Sequence, residues 1–249
     1  MKIAIVGIGS IGGTLARRLV AAGHEVSVAN SRGKDSVSAF AEDAGAIPCD
    51  LNDVFMSADA VIISIPQPAM ATLPKSQLAV LPSSVPVIDT SNYYPGLRDE
   101  SIAALENGQT ESVWVSDQLG RPVIKAFNNI LAYSLENLHK PKGAYGRLAV
   151  AVAGDDANQK RIVMQLVDEV GFDPLDSGSL EESWRQQPCT PAYCCDYTAE
   201  AMRLALNAAV KGAAAQKREA FNTKLPALFA TEPSHDDVIG FNRKFNEAG

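Results

Sequence analysis

The first thirty-four residues, MKIAIVGIGSIGGTLARRLVAAGHEVSVANSRGK, constrain what the rest of the chain can fold into. Lys2 to Val6 are a short apolar run, suited to a strand buried on both faces of a parallel sheet. Gly7, Gly9 and Gly12 then fill the pattern G-x-G-x-x-G, with Ile8, Ser10 and Ile11 between them. In that pattern the first glycine allows a tight turn, the second lets a pyrophosphate approach the backbone, and the third lets helix and strand pack closely. The spacing of Leu15, Leu19 and Ala22 predicts a helix from about Ile11 to Ala22, stopped by Gly23. Its N-terminus offers N–H groups and the positive end of a helix dipole to a phosphate. A second strand, Glu25 to Ala29, completes a βαβ unit.

The tip of that second strand selects the cofactor. An NAD site places a carboxylate about twenty residues beyond the glycines, to accept a hydrogen bond from the ribose 2′-hydroxyl. Here the positions hold Asn30, Ser31 and Arg32, with Lys34 just beyond. Amide, hydroxyl, guanidinium and ammonium groups favour a 2′-phosphate, which a carboxylate would repel. The expectation is NADP(H), not NAD.

Beyond this unit, apolar runs alternate with helical patterns. Strands are expected at Ala46–Cys49, Ala60–Ile65, Val85–Ile88, Val123–Phe127, Leu148–Ala153 and Phe172–Leu175. Helices are expected at Asp35–Ala44, Asp50–Ser57, Met70–Leu81, Asp99–Asn107, Ile130–Leu138 and Ala157–Val170. The pattern implies an α/β Rossmann fold, a doubly wound and mostly parallel sheet covered on both faces. After Asp176 the chain turns loop-rich, then alanine-rich and helical from Ala192 to Gln216, with short helices expected near Leu225–Phe229 and Asp236–Phe245. The expected division is residues 1–178 as the NADP-binding domain and 179–249 as a small helical C-terminal region. The small residues of the alanine-rich stretch suit close packing, and a homodimer is expected through it.

Charge and cysteine usage narrow the partners. A net charge of −7 disfavours nucleic acid and anionic membranes. No apolar run reaches the roughly twenty residues that span a bilayer, and the first apolar segment is the first strand rather than a leader, so a cytoplasmic protein is expected. Cys49, Cys189, Cys194 and Cys195 lack C-x-x-C spacing and read as buried thiols. His24, His139 and His235 are scattered, so no metal site is expected.

Four strand tips converge on one edge of the expected sheet: Gly7–Gly12, Ile65–Gln67, Ser91–Asn92 and Ala126–Asn129. Together they would outline the pyrophosphate, ribose and nicotinamide. Asp89 has two readings, in the pocket or capping its own turn. Lys125 reads as a salt-bridged or snorkelled lysine. No lysine, histidine or Tyr-x-x-x-Lys arrangement supplies the general base that alcohol oxidation requires. Hydride exchange between two rings needs mainly stacking and alignment, which suits amides, prolines and apolar residues at these tips.

With the glycines, the Asn-Ser-Arg tip, Lys-Ala-Phe-Asn (Lys125 to Asn128) and Leu-Asp-Ser-Gly (Leu175 to Gly178), the chain from about Lys2 to Gly212 resembles the coenzyme F420-dependent NADP oxidoreductases. It is also similar to the cytosolic reductase domain of the six-transmembrane epithelial antigen metalloreductases. The resemblance implies NADP across the sheet edge, held by Gly7, Ile8, Gly9, Ser10, Ile11 and Gly12 at the pyrophosphate. Asn30, Ser31, Arg32 and Lys34 would serve the adenine-side ribose phosphate. Ile65, Pro66 and Ala126 would line the nicotinamide, with Asn128 beside a stacked flavin-like ring (FMN, FAD or coenzyme F420) as the catalytic residue. The sequence departs from the archaeal deazaflavin enzymes at Asn128, where these carry histidine. The expected activity is NADPH-dependent hydride transfer to such a small-molecule electron acceptor; the alternatives are reduction of small imines or carbonyls, and a non-catalytic NADP(H) sensor.

Overall fold

The computed structural model describes residues 1–247. Strands β1 (Lys2–Val6), β2 (Glu25–Ala29), β3 (Ile47–Pro48), β4 (Ala60–Ile63), β5 (Val87–Asp89) and β6 (Ile124–Lys125) form a parallel sheet ordered β3-β2-β1-β4-β5-β6. This is the doubly wound order, whose switch point lies between β1 and β4. Register brings the tips level there: Val6 pairs with Ala29 on one side and Ile63 on the other. Gly7, Asn30 and Ser64 therefore leave the sheet at one height.

Helices α1 (Ser10–Ala21), α2 (Asp35–Ala44), α3 (Lys75–Ala79), α4 (Ala103–Glu106), α5 (Glu111–Leu119), α6 (Ala132–Asn137) and α7 (Ala157–Glu169) complete the α/β part. Side chains alternate across each strand, so β1 feeds two cores. Ile3 and Ile5 join Leu15 and Leu19 of α1, Val37 of α2 and Val163 and Leu166 of α7. Ala4 and Val6 join Met70, Leu78 of α3, and Val115 and Leu119 of α5 on the opposite face. Strands buried on both faces cannot show polar alternation, which is why they read as continuous apolar runs.

Several expected elements change at their edges. The helix expected over Met70–Leu81 is split by Pro74 into a 3-10 turn, Gln67–Thr72, and α3, because proline supplies no N–H to continue it. Asp50–Ser57 is turns, and the helix expected at Asp99–Asn107 contracts to α4. Helix α5 is an addition. It buries Glu111 and Ser112 together with Val115 and Leu119, and those polar residues hide its apolar stripe in the sequence. Strands β7 (Ala149–Val152) and β8 (Asp173–Asp176) form a separate parallel pair. It is joined to the main sheet by an antiparallel bridge in which the Lys125 and Ala153 amides exchange hydrogen bonds at 2.8 and 3.0 Å.

The alanine-rich stretch is not one helix. Residues 192–198 run as an irregular loop; α8 (Ala199–Ala208) follows, and Gly212, with φ +86°, starts α9 (Ala213–Phe229) in a new direction. Helix α10 (His235–Asn246) begins with a Ser234–Asp237 capping box. No helix among the described residues is long and apolar enough to cross a membrane.

A buried polar cluster sits beneath the tips of β5 and β6. Lys125 Nζ donates to Asp89 Oδ2 at 2.9 Å and to the Ser91 carbonyl at 2.6 Å, and both ionic side chains are fully buried. Asp89 also accepts from the Ser91 amide and the Ser112 hydroxyl, each at 2.8 Å, so it caps its turn and binds the lysine together. Glu111 lies beside them and accepts from the Tyr93 amide at 3.3 Å. Burial pushes the Glu111 carboxyl up to about 7; Lys125 opposes the rise and Asp89 adds to it.

Two outcomes follow from this cluster. Lys125→Met leaves Asp89 charged and buried without its partner, which is expected to cost about 3–5 kcal/mol in urea unfolding, whereas Lys125→Met with Asp89→Leu should recover much of that loss. A double variant no more stable than the single one would contradict the assignment. Glu111 has a folded pKa of about 7 against an ordinary 4.5, so the native state holds the proton more tightly than the unfolded chain. Its contribution is full below 4.5 and is lost as pH rises through about 7. Glu111→Gln should flatten the decline of stability across that interval, read from urea midpoints; an unchanged slope would exclude Glu111 as its source.

Candidate functional site

A cleft of about 330 Å³ opens at the β1–β4 switch point and is lined by residues from all four expected tips. The glycine turn is sterically determined. Gly7 has φ +95°, and a Cβ there would lie 2.2 Å from the Ser64 carbonyl oxygen; one at Gly12 would lie 2.0 Å from the Gly7 carbonyl oxygen. Gly9 meets nothing within 4 Å and borders the cleft. It is the N-cap of α1 and provides no side-chain cap, so the first N–H groups of the helix remain available beside open space.

Gly9, Ser10, Ile11, Ile65, Pro66 and Asn128 line the cleft, while Gly7 and Gly12 are close-packed in the turn and do not line it. Ile8 instead packs against the core beneath α1. Ala126 is corrected. Its amide still bonds the Asp89 carbonyl in the ladder, so its side chain keeps the strand's alternation and is fully buried in the core. The chain leaves the sheet one residue later, at Phe127, whose φ of +61° turns it toward the cleft wall.

The β2 tip lies apart from this cleft, on the other side of the glycine turn. Asn30 Oδ1 accepts from the Arg32 amide and the Ser36 hydroxyl, both at 2.8 Å, and so shapes the turn itself. Ser31, Arg32 and Lys34 are exposed around it. Among the described residues neither cationic side chain makes an ion pair. Asp50, from the β3 tip, accepts from the Lys34 amide at 2.9 Å and fixes the far side of the turn.

Asn128 is 2% exposed and committed to the protein. Its Nδ2 donates to Asn92 Oδ1 at 3.0 Å and the Gln186 carbonyl at 2.8 Å, and its Oδ1 accepts from Gln186 Nε2 at 2.9 Å. With both amide hydrogens used, it ties the β5 and β6 tips to residue 186 and offers no free N–H to a second ring.

The wall facing the glycine turn comes from residues absent from the sequence reading. Tyr94 and Tyr193 line the cleft with their hydroxyls in mutual contact. Burial raises both phenols well above their ordinary range, and it does the same to the neighbouring Cys194 thiol. Arg98 completes this end, its guanidinium 5.0 Å from the Tyr94 ring centre. Nothing local marks these residues; they meet across about a hundred positions of sequence.

Helix α10 holds that wall. Four consecutive carbonyls, from Tyr193 to Asp196, accept from Asn246, Asn242, Arg243 Nε and Arg243 Nη2 at 3.0, 2.8, 2.9 and 3.0 Å. Within this run Cys194 and Asp196 adopt left-handed backbone, with φ +52° and +49°. The Asp196 carboxylate is fixed in turn by His235 Nε2 at 2.7 Å and the Ser134 hydroxyl at 2.9 Å. The three buried thiols are Cys189, Cys194 and Cys195, none in a disulfide, while Cys49 is half-buried. No grouping of metal-ligating side chains occurs among the described residues.

Residues 2–93 match the model of the family described as NADP oxidoreductase, coenzyme F420-dependent. Protein YjhV of Escherichia coli K12 is 47% identical over 112 residues, 43% of this chain and 77% of that protein. Among solved structures, hypothetical protein SMa0349 of Sinorhizobium meliloti superposes with a TM-score of 0.65 at 29% identity, covering 75% of this chain and 89% of the other. A provisionally named F420-dependent NADP-reductase of Arthrobacter sp. FB24 gives 0.62 at 20% identity, covering 74% and 87%, and shows the shared fold. The glycine turn, the sheet order and these matches agree, and the chain belongs to the coenzyme F420-dependent NADP oxidoreductase family.

Proposed function

We propose that this protein is an NADPH-dependent reductase that delivers hydride to a flavin-like or deazaflavin ring seated at the Tyr94–Tyr193 end of the cleft. The observation that carries the reading is the division of that cleft. One end is uncapped helix N-terminus and open backbone at Gly9; the other is a phenol pair with Arg98 beside it. A pyrophosphate requires N–H donors, a positive dipole end and no side chain in its way, so the first end fits the cofactor.

In this reading the glycine loop binds the pyrophosphate, and the turn shaped by Asn30 presents Ser31, Arg32 and Lys34 to the 2′-phosphate. Ile65, Pro66 and Phe127 bound the nicotinamide pocket and exclude water from it. When bound, NADPH supplies the hydride. Reduction also needs a proton, and the phenols, protonated at neutral pH, are donors rather than bases. Asn128 acts as a positioning residue that fixes the floor, which replaces the direct catalytic role expected from the sequence.

The same phenol pair favours a second reading, reduction of a small C=N or C=O group. Hydride would go to carbon and the proton to nitrogen or oxygen, with solvent reprotonating the pair. Loss of the NADPH absorbance band in the presence of flavins, a deazaflavin, and panels of imines and carbonyls separates the two. Ring acceptors are expected to be reduced. Turnover of imines or carbonyls alone would favour the second reading, and tight NADPH binding with no turnover would overturn both. Arg32→Ala is expected to weaken NADPH binding about ten- to a hundredfold, the equivalent of about 1.5–3 kcal/mol for a hydrogen bond to a charged group, and to leave NADH binding nearly unchanged. Equal loss for both cofactors would remove Arg32 from the 2′-phosphate site.

A further inference from the structure

Among the described residues, Arg98 is the one lining the cleft that carries a charge, and no carboxylate shares that lining with it. Its orientation is built. Nε and Nη2 donate to Asp99 Oδ1 and Oδ2, each at 2.8 Å, and Nη2 donates also to the Asn92 carbonyl at 2.6 Å. Asp99 lies behind it, its side chain 2% exposed, and accepts from the Tyr94 amide at 2.8 Å. The guanidinium plane is further held against the Tyr94 ring.

A guanidinium has five N–H donors. Three are spent on Asp99 and Asn92, and the two on Nη1 have no acceptor among the described residues. Arg98 is 44% exposed at this point, so these donors can reach a ligand without first breaking the pair behind them. The cofactor's pyrophosphate already has its own donors at the N-terminus of α1. Arg98 instead shares the acceptor end with the Tyr94–Tyr193 pair, its guanidinium 5.0 Å from the Tyr94 ring centre.

We propose that Arg98 is an anchor for a carboxylate carried by the hydride acceptor, on the same end of that molecule as its reducible group. This rests on the second reading above, reduction of a small C=N or C=O group by NADPH, and narrows that substrate class to molecules bearing a carboxylate. The Nε–Nη2 fork is taken by Asp99, so Nη1 is left to donate to one oxygen of a carboxylate, and the held guanidinium sets where that oxygen sits. The matched family segment ends at residue 93, so this end of the cleft lies outside it.

The test uses benzoate and benzamide, flat probes of nearly one shape that differ in charge. NADPH affinity is measured first, by the cofactor's fluorescence, for the wild type, Arg98→Gln and Arg98→Lys. Calorimetric titration of the NADP-saturated proteins with each probe follows. The wild type is expected to bind benzoate about tenfold or more tightly than benzamide. Both variants should lose that preference while keeping NADPH affinity. Arg98→Lys can still pair with Asp99, which guards against mere unfolding of Arg98→Gln. Equal binding of the two probes, absence of benzoate binding, or a preference that survives Arg98→Lys would overturn the proposal. So would a parallel loss of NADPH and benzoate affinity, which would give Arg98 to the cofactor. If the wild type fails to bind NADPH, the reductase reading falls at the first measurement and the acceptor anchor falls with it.

Discussion

The buried pair of Lys125 and Asp89 is the constraint on which the geometry of the site depends. It closes the β5 and β6 tips together at the depth where ladder hydrogen bonds are running out, and it fixes the Ser91 carbonyl at the cleft floor. Such a pair has no obligatory net benefit over an apolar replacement, because desolvation offsets the attraction. Its value here is directional. Asp89 has distinct partners for its two oxygens, the Ser91 amide on one and Lys125 with Ser112 on the other. A carboxylate committed on both oxygens allows one arrangement of the strand tips, which apolar packing alone would leave less defined.

The antiparallel bridge between Lys125 and Ala153 works from the same residue in the opposite direction. Lys125 thus joins the parallel sheet to the β7–β8 pair through its backbone, and to β5 through its side chain. Residues beyond β8 pack over β7 and β8 with Met202, Ala205 and Leu206 of α8 and return to the cleft as its far wall. The cleft is therefore shared between the Rossmann core and the C-terminal region rather than contained within the first.

What was legible in the sequence follows from the range of the forces involved. The glycine turn is set by contacts within a few residues and by the adjacent Ser64, so Gly7, Gly9 and Gly12 announce it directly. The both-face burial of β1 and β4 likewise appears as unbroken apolar runs. Ala126 was misplaced by a single residue, because the departure from the ladder depends on a left-handed turn at Phe127 that no local preference marks. Alanine propensity is local and makes the alanine-rich stretch read as one helix, whereas residues 193–196 are held out of it by α10 and Gly212 separates α8 from α9. Asn128 stands at an expected strand tip, but its tie to Gln186, 58 residues away, leaves no mark in the local sequence.

That contrast runs through the site itself. The glycine end is made of backbone and glycine within the first third of the chain, where a short pattern suffices to specify it. The opposite end is made of side chains from residues 94, 98 and 193–194, and α10 holds the last of these through hydrogen bonds to four successive carbonyls. Left-handed backbone at Cys194 and Asp196 costs on the order of 1 kcal/mol each and persists only when surroundings over-determine it. The surroundings here are the last helix described. A wall specified by distant contacts can change with α10 or with the loop it grips while the glycine turn stays as it is, so the shape of that end of the cleft is set by parts of the chain that the glycine motif does not describe.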